Sequence, residues 1–211
     1  MIISQEHRKA AKQVYGLISG PVRQSHGKFI ITIAGESGAG KSEIAAALAE
    51  ELENKGLPVL IIQQDDFFVY PPRTNAAMRI KSGGKVGPEE VRLDKLNKLV
   101  DEIKEGRQEI SKPLVIFTED RITRERIRTS PYRVIVIEGT YTTLLKDIDC
   151  RVFIDRDLED TRADRLKRNR EKQDDFLEKI LIREHEIISA HKPMADIMIT
   201  REFKALENKN G

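Results

Sequence analysis

Residues 28–34, Lys-Phe-Ile-Ile-Thr-Ile-Ala, are almost continuously apolar and β-branched, and they run straight into Gly35-Glu36-Ser37-Gly38-Ala39-Gly40-Lys41-Ser42. A strand without polar alternation must be covered on both faces, which is the situation of a central strand in a parallel sheet. The eight residues that follow match G-x-x-x-x-G-K-[ST] in full. At average residue usage such a match arises by chance in a chain of this length less than about once in a hundred. Context supports it: Glu43–Lys55 reads as a helix stopped by Gly56, and Leu57–Gln63 as a second buried strand, completing one βαβ unit. Glycines let the backbone curl until successive N–H groups face phosphate oxygens, and the helix N-terminus adds its partial positive charge. The segment therefore predicts a nucleoside-triphosphate site. Lys41 would reach the β- and γ-phosphates, and the Ser42 hydroxyl would hold Mg²⁺.

Around this unit the chain alternates strands and helices, which predicts a three-layer α/β fold, a parallel sheet covered by helices, of the P-loop type. Residues 5–19 form an amphipathic helix with Ala11, Val14, Tyr15 and Ile18 on one side, ended by Gly20-Pro21. Residues 1–26 are accordingly expected as an N-terminal helical extension, and residues 27–211 as the main domain. Residues 65–87 are polar, carry Pro71, Pro72, Gly83, Gly84 and Gly87, and read as a long functional loop. Pro88 opens a helix to Gly106 from the N1 position. Residues 109–128 alternate loosely, as in a small hairpin. Tyr132–Ile137 and Arg151–Ile154 are further buried strands. Helices are expected at 158–171 and 174–191, with a lid at about 162–180. Ile197–Thr200 closes the sheet, and the tail from Lys204 is expected to fray.

Composition removes several alternatives. No stretch approaches the roughly 18 apolar residues of a membrane span, and the residues after Met1 lack a signal-peptide core. A single cysteine, Cys150, excludes a disulfide framework within the chain and cysteine-rich zinc sites. A reducing cytoplasm is the expected location. Lys and Arg total 37 against 35 Asp and Glu, a net charge of +2, and there is no tryptophan. That balance and the scarcity of aromatics argue against a nucleic-acid partner. His7, His26, His185 and His191 show no metal-ligand spacing and read as bystanders, with Cys150 as core packing.

Three further segments carry chemistry. Gln64-Asp65-Asp66-Phe67-Phe68 follows the second strand at the sheet edge where α/β folds place ligands. A carboxylate there can orient an acceptor hydroxyl and take its proton. Val134–Gly139 is a buried strand ending in Glu138, a natural position near Mg²⁺. Arg162, Arg165, Arg168 and Arg170 are spaced so that several share one helix side, and arginines clamp transferred phosphate. Tyr70, Arg73 and Asn75 lie just beyond Asp65 and are candidates for acceptor contact. Arg121, Arg124 and Arg126 either face an anionic acceptor or are simply solvated.

The set AGESGAGKS, QQDDFF, VIVIEGTY, VFIDRDLEDTRADRLKRN and ADIMI, spread in order over residues 28–200, resembles the uridine kinase and phosphoribulokinase group of P-loop kinases. The resemblance implies a mononucleotide-kinase-like fold, ATP with Mg²⁺, and a mobile lid. It makes Asp65 the catalytic base, and places Glu138 near Mg²⁺ and the acceptor. It matches Arg162 and Arg165 to lid arginines, the first toward the nucleotide and the second in catalysis. Phe68 stands where uridine kinases usually carry tyrosine. The chain departs from uridine kinases at Val86–Arg92 and at Pro113–Asp120, where the nucleoside-binding Tyr-Asp pair and histidine are absent, and in a shorter Arg168–Lys172 segment. QDDFF also resembles nicotinamide riboside kinases. The implied activity is transfer of the ATP γ-phosphoryl to a hydroxyl of a small-molecule acceptor, a uridine- or cytidine-like nucleoside or a related sugar. The alternatives are another acceptor, such as nicotinamide riboside or a pentose phosphate, or a nucleotide-binding regulatory protein. A homo-oligomer stays open beside a monomer.

Overall fold

The structure, a computed structural model, describes residues 1–84, 86–162 and 175–208. Helix α1 spans Gln5–Gln24 and β1 Phe29–Gly35. Next come α2 over Lys41–Glu53, β2 over Val59–Gln63, α3 over Pro72–Lys81 and α4 over Leu93–Lys104. A hairpin of β3, Glu109–Ile116, and β4, Arg121–Arg128, precedes β5 at Val134–Glu138 and β6 at Cys150–Ile154. Helix α5, Asp175–Ser189, leads to β7, Ile197–Ile199, and β8, Ala205–Glu207.

The main sheet runs β2-β5-β1-β6-β7-β8, parallel except for the antiparallel β7–β8 pair, and the hairpin forms a separate two-stranded sheet. Every residue of β1 and β5 is buried, as a strand without alternation requires. Successive residues of β1 serve opposite layers. Ile31 and Ile33 pack toward α1 and α2, while Ile30 and Ala34 pack with Leu96, Leu99 and Ile103 of α4. Register places the chemistry, because Ile33, Glu138 and Gln63 lie side by side on β1, β5 and β2. The phosphate loop, the carboxylate of Glu138 and the turn holding Asp65 therefore leave the sheet at one level.

Several expectations are corrected. Helix α1 does not stop at Gly20-Pro21 but continues through Pro21 to Gln24. Val22 extends the buried stripe of Ala10, Ala11, Val14 and Ile18, so packing outweighs the backbone bond that proline cannot donate. The same stripe sits in one core cluster with α2 and β1, so residues 5–24 form part of the packed layer. The 65–87 segment is not a structureless loop. It holds a 3₁₀ turn over Gln64–Phe67 and then α3, with Pro72 in its first turn. Pro88 opens only a 3₁₀ turn, and the long helix starts at Leu93. The delay has a cause: Val91 bridges to Phe68, and the Arg92 N–H donates to the Phe67 carbonyl. The chain end does not fray at Lys204, since Ala205–Glu207 pairs with β7. The hairpin forms as expected. Most of the helix expected at 158–171 lies outside the described residues. No helix of the described residues is long and apolar enough to cross a membrane.

Candidate active site

The Gly35–Ser42 loop curls as its glycines allow. Gly38 and Gly40 sit at φ +84° and +98°, in the left-handed region that favours glycine. Gly40 caps α2 without any side-chain acceptor for the first-turn N–H groups, leaving them for an anion. Ala39 N–H donates to the Glu36 carbonyl, and Lys41 Nζ folds back on the carbonyls of Gly35 and Glu36 at 3.0 and 2.8 Å. Ser37 lies at the exposed crest of the loop. His7 of α1 supports the base of the loop, its Nε2 3.3 Å from where a Cβ on Gly40 would stand.

Ser42 Oγ donates to Glu138 Oε1 at 3.0 Å, joining the start of α2 to the end of β5. Glu138 is 7% exposed. Burial pushes its carboxyl up to about 6, the positive charge of Lys41 opposes that rise, and the Asp65 carboxylate adds to it. Lys41, Ser42 and Asp65 thus all lie close to Glu138. A hydroxyl beside a carboxylate, both near a phosphate cradle, is an oxygen donor set suited to Mg²⁺.

Asp65 is exposed on the 3₁₀ turn after β2, while its neighbours are anchored. Gln64 is fully buried and its Oε1 accepts the Tyr141 N–H at 2.7 Å, so the Asp65 turn and the loop after β5 are stitched together. A Cβ on Gly139 would overlap Gln64, which accounts for the glycine after Glu138. Asp66 points the other way, accepting from Lys112 Nζ at 2.5 Å and from Val115 N–H at 2.9 Å. Lys112, 3% exposed, also pairs with Glu125 at 2.6 Å. Asp66 therefore fixes the hairpin to the turn that carries Asp65.

The other candidates fall into place unevenly. Phe68 is half-buried against the α4 side of the core, and Tyr70 is exposed. The backbone N–H of Arg73 donates to Asp120 Oδ1 at 2.7 Å, and Thr74 donates to Asp120 Oδ2 through both its N–H and its hydroxyl, so the hairpin tip caps α3. Asn75 is buried with its amide on Glu90, which also takes a two-point bond from Arg79. Arg121 pairs with Glu119, Arg126 with Glu109, and Arg124 reaches the Ser111 hydroxyl, the solvated alternative rather than a convergent anion site. Arg162 is exposed at the last described residue before 163. Arg165, Arg168, Arg170 and most of the expected lid lie outside the described residues. Cys150 is buried in the core as expected.

His185 is not a bystander. Its Nδ1 lies 2.5 Å from Glu36 Oε1 in the phosphate loop. The sequence holds no signal for this contact, because 149 residues separate the partners. Lys112 and Gln64 were equally hidden, whereas the Thr118-Glu119-Asp120 tip carries the polar residues usual at a turn.

Comparison with known proteins places this geometry. The sequence pattern of the Phosphoribulokinase / Uridine kinase family matches residues 30–207. A uridine kinase from Histophilus somni is 28% identical over 189 residues, covering 83% of this chain and 88% of that protein. The bifunctional alpha-galactosidase/sucrose kinase AgaSK of Mediterraneibacter gnavus is 24% identical over 194 residues, 85% of this chain but only 21% of that longer protein. The solved D-glycerate 3-kinase of Cryptococcus neoformans shares the fold at TM-score 0.65 and 13% identity, over 97% of this chain and 100% of that one. The chain therefore belongs to the phosphoribulokinase and uridine kinase family, phosphotransferases that act on hydroxyl groups.

Proposed function

We propose that this protein is an ATP-dependent kinase that moves the γ-phosphoryl to a hydroxyl of a nucleoside of the uridine or cytidine type, or of a related sugar. One observation carries the reading: the Ser42–Glu138 bond holds two Mg²⁺-type oxygens close to Lys41 and Asp65. In this reading residues 35–42 wrap the phosphates, with Arg162 and Arg165 adding charge from the lid. Bound Mg²⁺, held by Ser42 and Glu138, would neutralise phosphate oxygens. Lys41 would exchange the loop carbonyls for the β- and γ-phosphates. Asp65 accepts the proton of the acceptor hydroxyl as its oxygen bonds to the γ-phosphorus; the bond to the β-phosphate oxygen breaks and ADP departs. In this reading Phe68, Tyr70, Arg73 and Glu138 would contact the acceptor. Residues 27–211 would form the kinase domain, with α1 bracing its phosphate loop.

The test is Mg²⁺-ATP turnover against uridine, cytidine, nicotinamide riboside, pentoses and pentose phosphates. Asp65→Asn is expected to lower kcat by on the order of a thousandfold on the preferred acceptor, with ATP binding retained. An Asp65→Asn enzyme within about tenfold of wild type would remove Asp65 from the role of base. Turnover confined to nicotinamide riboside or a pentose phosphate would reassign the acceptor and leave the chemistry standing.

A further inference from the structure

Glu36 is the one acidic side chain in the Gly35–Ser42 loop, and the fold buries it at 5% exposure instead of turning it to solvent. An uncompensated carboxylate at that position works against the loop, because its field adds to the negative charge a triphosphate brings. The loop meets this carboxylate with His185 of α5, Nδ1 to Oε1 at 2.5 Å. Among the described residues, two other charged groups face Glu36: Asp157, in the turn after β6, and Lys192, just beyond α5. They are opposite in sign and both are engaged elsewhere. Asp157 Oδ1 accepts the N–H groups of Glu159 and Asp160, and Lys192 pairs with Asp155 at 2.5 Å. His185 is the group in direct contact with the carboxylate. The same helix packs Ile180 and Phe176 against Gly84 at the end of α3, so α5 is held at two places rather than lying loose on the loop.

We propose that His185 is a positioning residue of the nucleotide site: by binding the Glu36 carboxylate, Nδ1 to Oε1, it holds that group away from the phosphates and sets the affinity of the phosphate loop for a nucleoside triphosphate. The inference rests on the nucleotide-binding reading of that loop and is independent of which acceptor is used. It makes a signed prediction that simple support does not. If His185 only braces the backbone, removing Glu36 as well cannot repair the loss of His185. If it holds the carboxylate away from the phosphates, removing Glu36 must repair it.

The experiment is calorimetric titration of the full chain with Mg²⁺-ATP, without acceptor, for wild type, His185→Gln, Glu36→Gln and the double variant. Melting curves of all four confirm the fold. His185→Gln keeps a hydrogen-bond donor but not the ring that reaches Glu36, and is expected to weaken Kd by on the order of tenfold, allowing for solvent at a histidine about a third exposed. Glu36→Gln supplies the reference that lacks the carboxylate, and the double variant is expected to bind within about twofold of that reference. His185→Lys, which places a positive charge beside Glu36, is expected to recover most of the affinity and provides a second reading if His185→Gln folds poorly. A His185→Gln protein that binds within twofold of wild type overturns the inference, and so does a double variant as weak as His185→Gln. Wild-type protein that binds no Mg²⁺-ATP would instead overturn the nucleotide-site reading beneath it.

Discussion

Replacing Glu138 by Gln should make the protein more stable while disabling it. The Glu138 carboxyl ordinarily titrates at 4.5, and burial at the end of β5 lifts it to about 6. Between those values the folded chain holds a proton that the unfolded chain has released, so stability falls as pH rises through that window. The shift corresponds to about 2 kcal/mol of stability lost by pH 8 relative to pH 4, at about 1.4 kcal/mol for each tenfold change in the titration constant. Glutamine has the shape of the protonated acid and can still accept from Ser42 Oγ, so the variant should not bear this cost. Urea unfolding in the presence of a chelator, for both proteins across pH 4 to 8, measures it. The two curves should coincide near pH 4 and diverge to about 2 kcal/mol in favour of Glu138→Gln at pH 8, equivalent to roughly 4–8 °C in Tm. Turnover with Mg²⁺-ATP should drop by on the order of a hundredfold or more in the same variant, because an amide is a poor replacement for a carboxylate beside Mg²⁺. A stability difference that does not change with pH, or a wild type that is the more stable at pH 8, would refute the account of Glu138 as a charge buried for function.

Two perturbations test the frame around the site. Lys112→Ala alone leaves the buried Asp66 carboxylate without its cation and should cost about 3–5 kcal/mol in urea unfolding, whereas Asp66→Leu with Lys112→Met should cost less. Equal losses in the single and paired variants would mean that packing, not charge, holds the hairpin to the Asp65 turn. Pro21→Ala lets residue 21 donate to the Leu17 carbonyl within α1 and should raise stability by about 1 kcal/mol or more, read by the same unfolding curves. A loss instead would show that the proline ring at the α1 end contributes packing of its own.

Local signals made the nucleotide half of the site legible. Its parts are consecutive, since a buried strand, a glycine-bearing turn and a helix start occupy residues 29–53, and the glycine conformations follow from the residue types themselves. Glu138 was legible for a similar reason, because an apolar strand that ends in a carboxylate presents it at the sheet edge. The readings that failed depend on partners far away in sequence. Val91 is drawn out of the expected helix by Phe68, 23 positions earlier, and α1 survives Pro21 because Val22 has a core to enter. Propensity weighs a few residues at a time, and in both cases a tertiary contact outweighed it. His185 illustrates the limit, since nothing near position 185 marks it as a neighbour of Glu36.

The same contrast explains why the reaction reads more clearly than the acceptor. Phosphate is recognised by backbone N–H groups and a few invariant atom types, whereas an acceptor is recognised by side chains. On the side of the cleft beyond Asp65, many of the polar side chains are already committed to the scaffold. Asp120 is spent on the first turn of α3, and Glu90 gathers Asn75, Arg79 and the Gly87 N–H. A group saturated by intramolecular bonds has little left to offer a ligand without first breaking them, at about 1 kcal/mol or more for each bond. Asn75 therefore holds α3 against the 88–90 turn, and it is a weaker candidate for acceptor contact than its position in the sequence suggested. Tyr70 is exposed at the entry to α3, and Asp65 is exposed on a turn whose two neighbours are buried and pinned. Discrimination between acceptors should accordingly respond first to Tyr70. Tyr70→Phe, which removes only the hydroxyl, should change KM for the preferred acceptor severalfold while leaving KM for ATP unchanged, and Asn75→Ala should lower stability before it changes either constant.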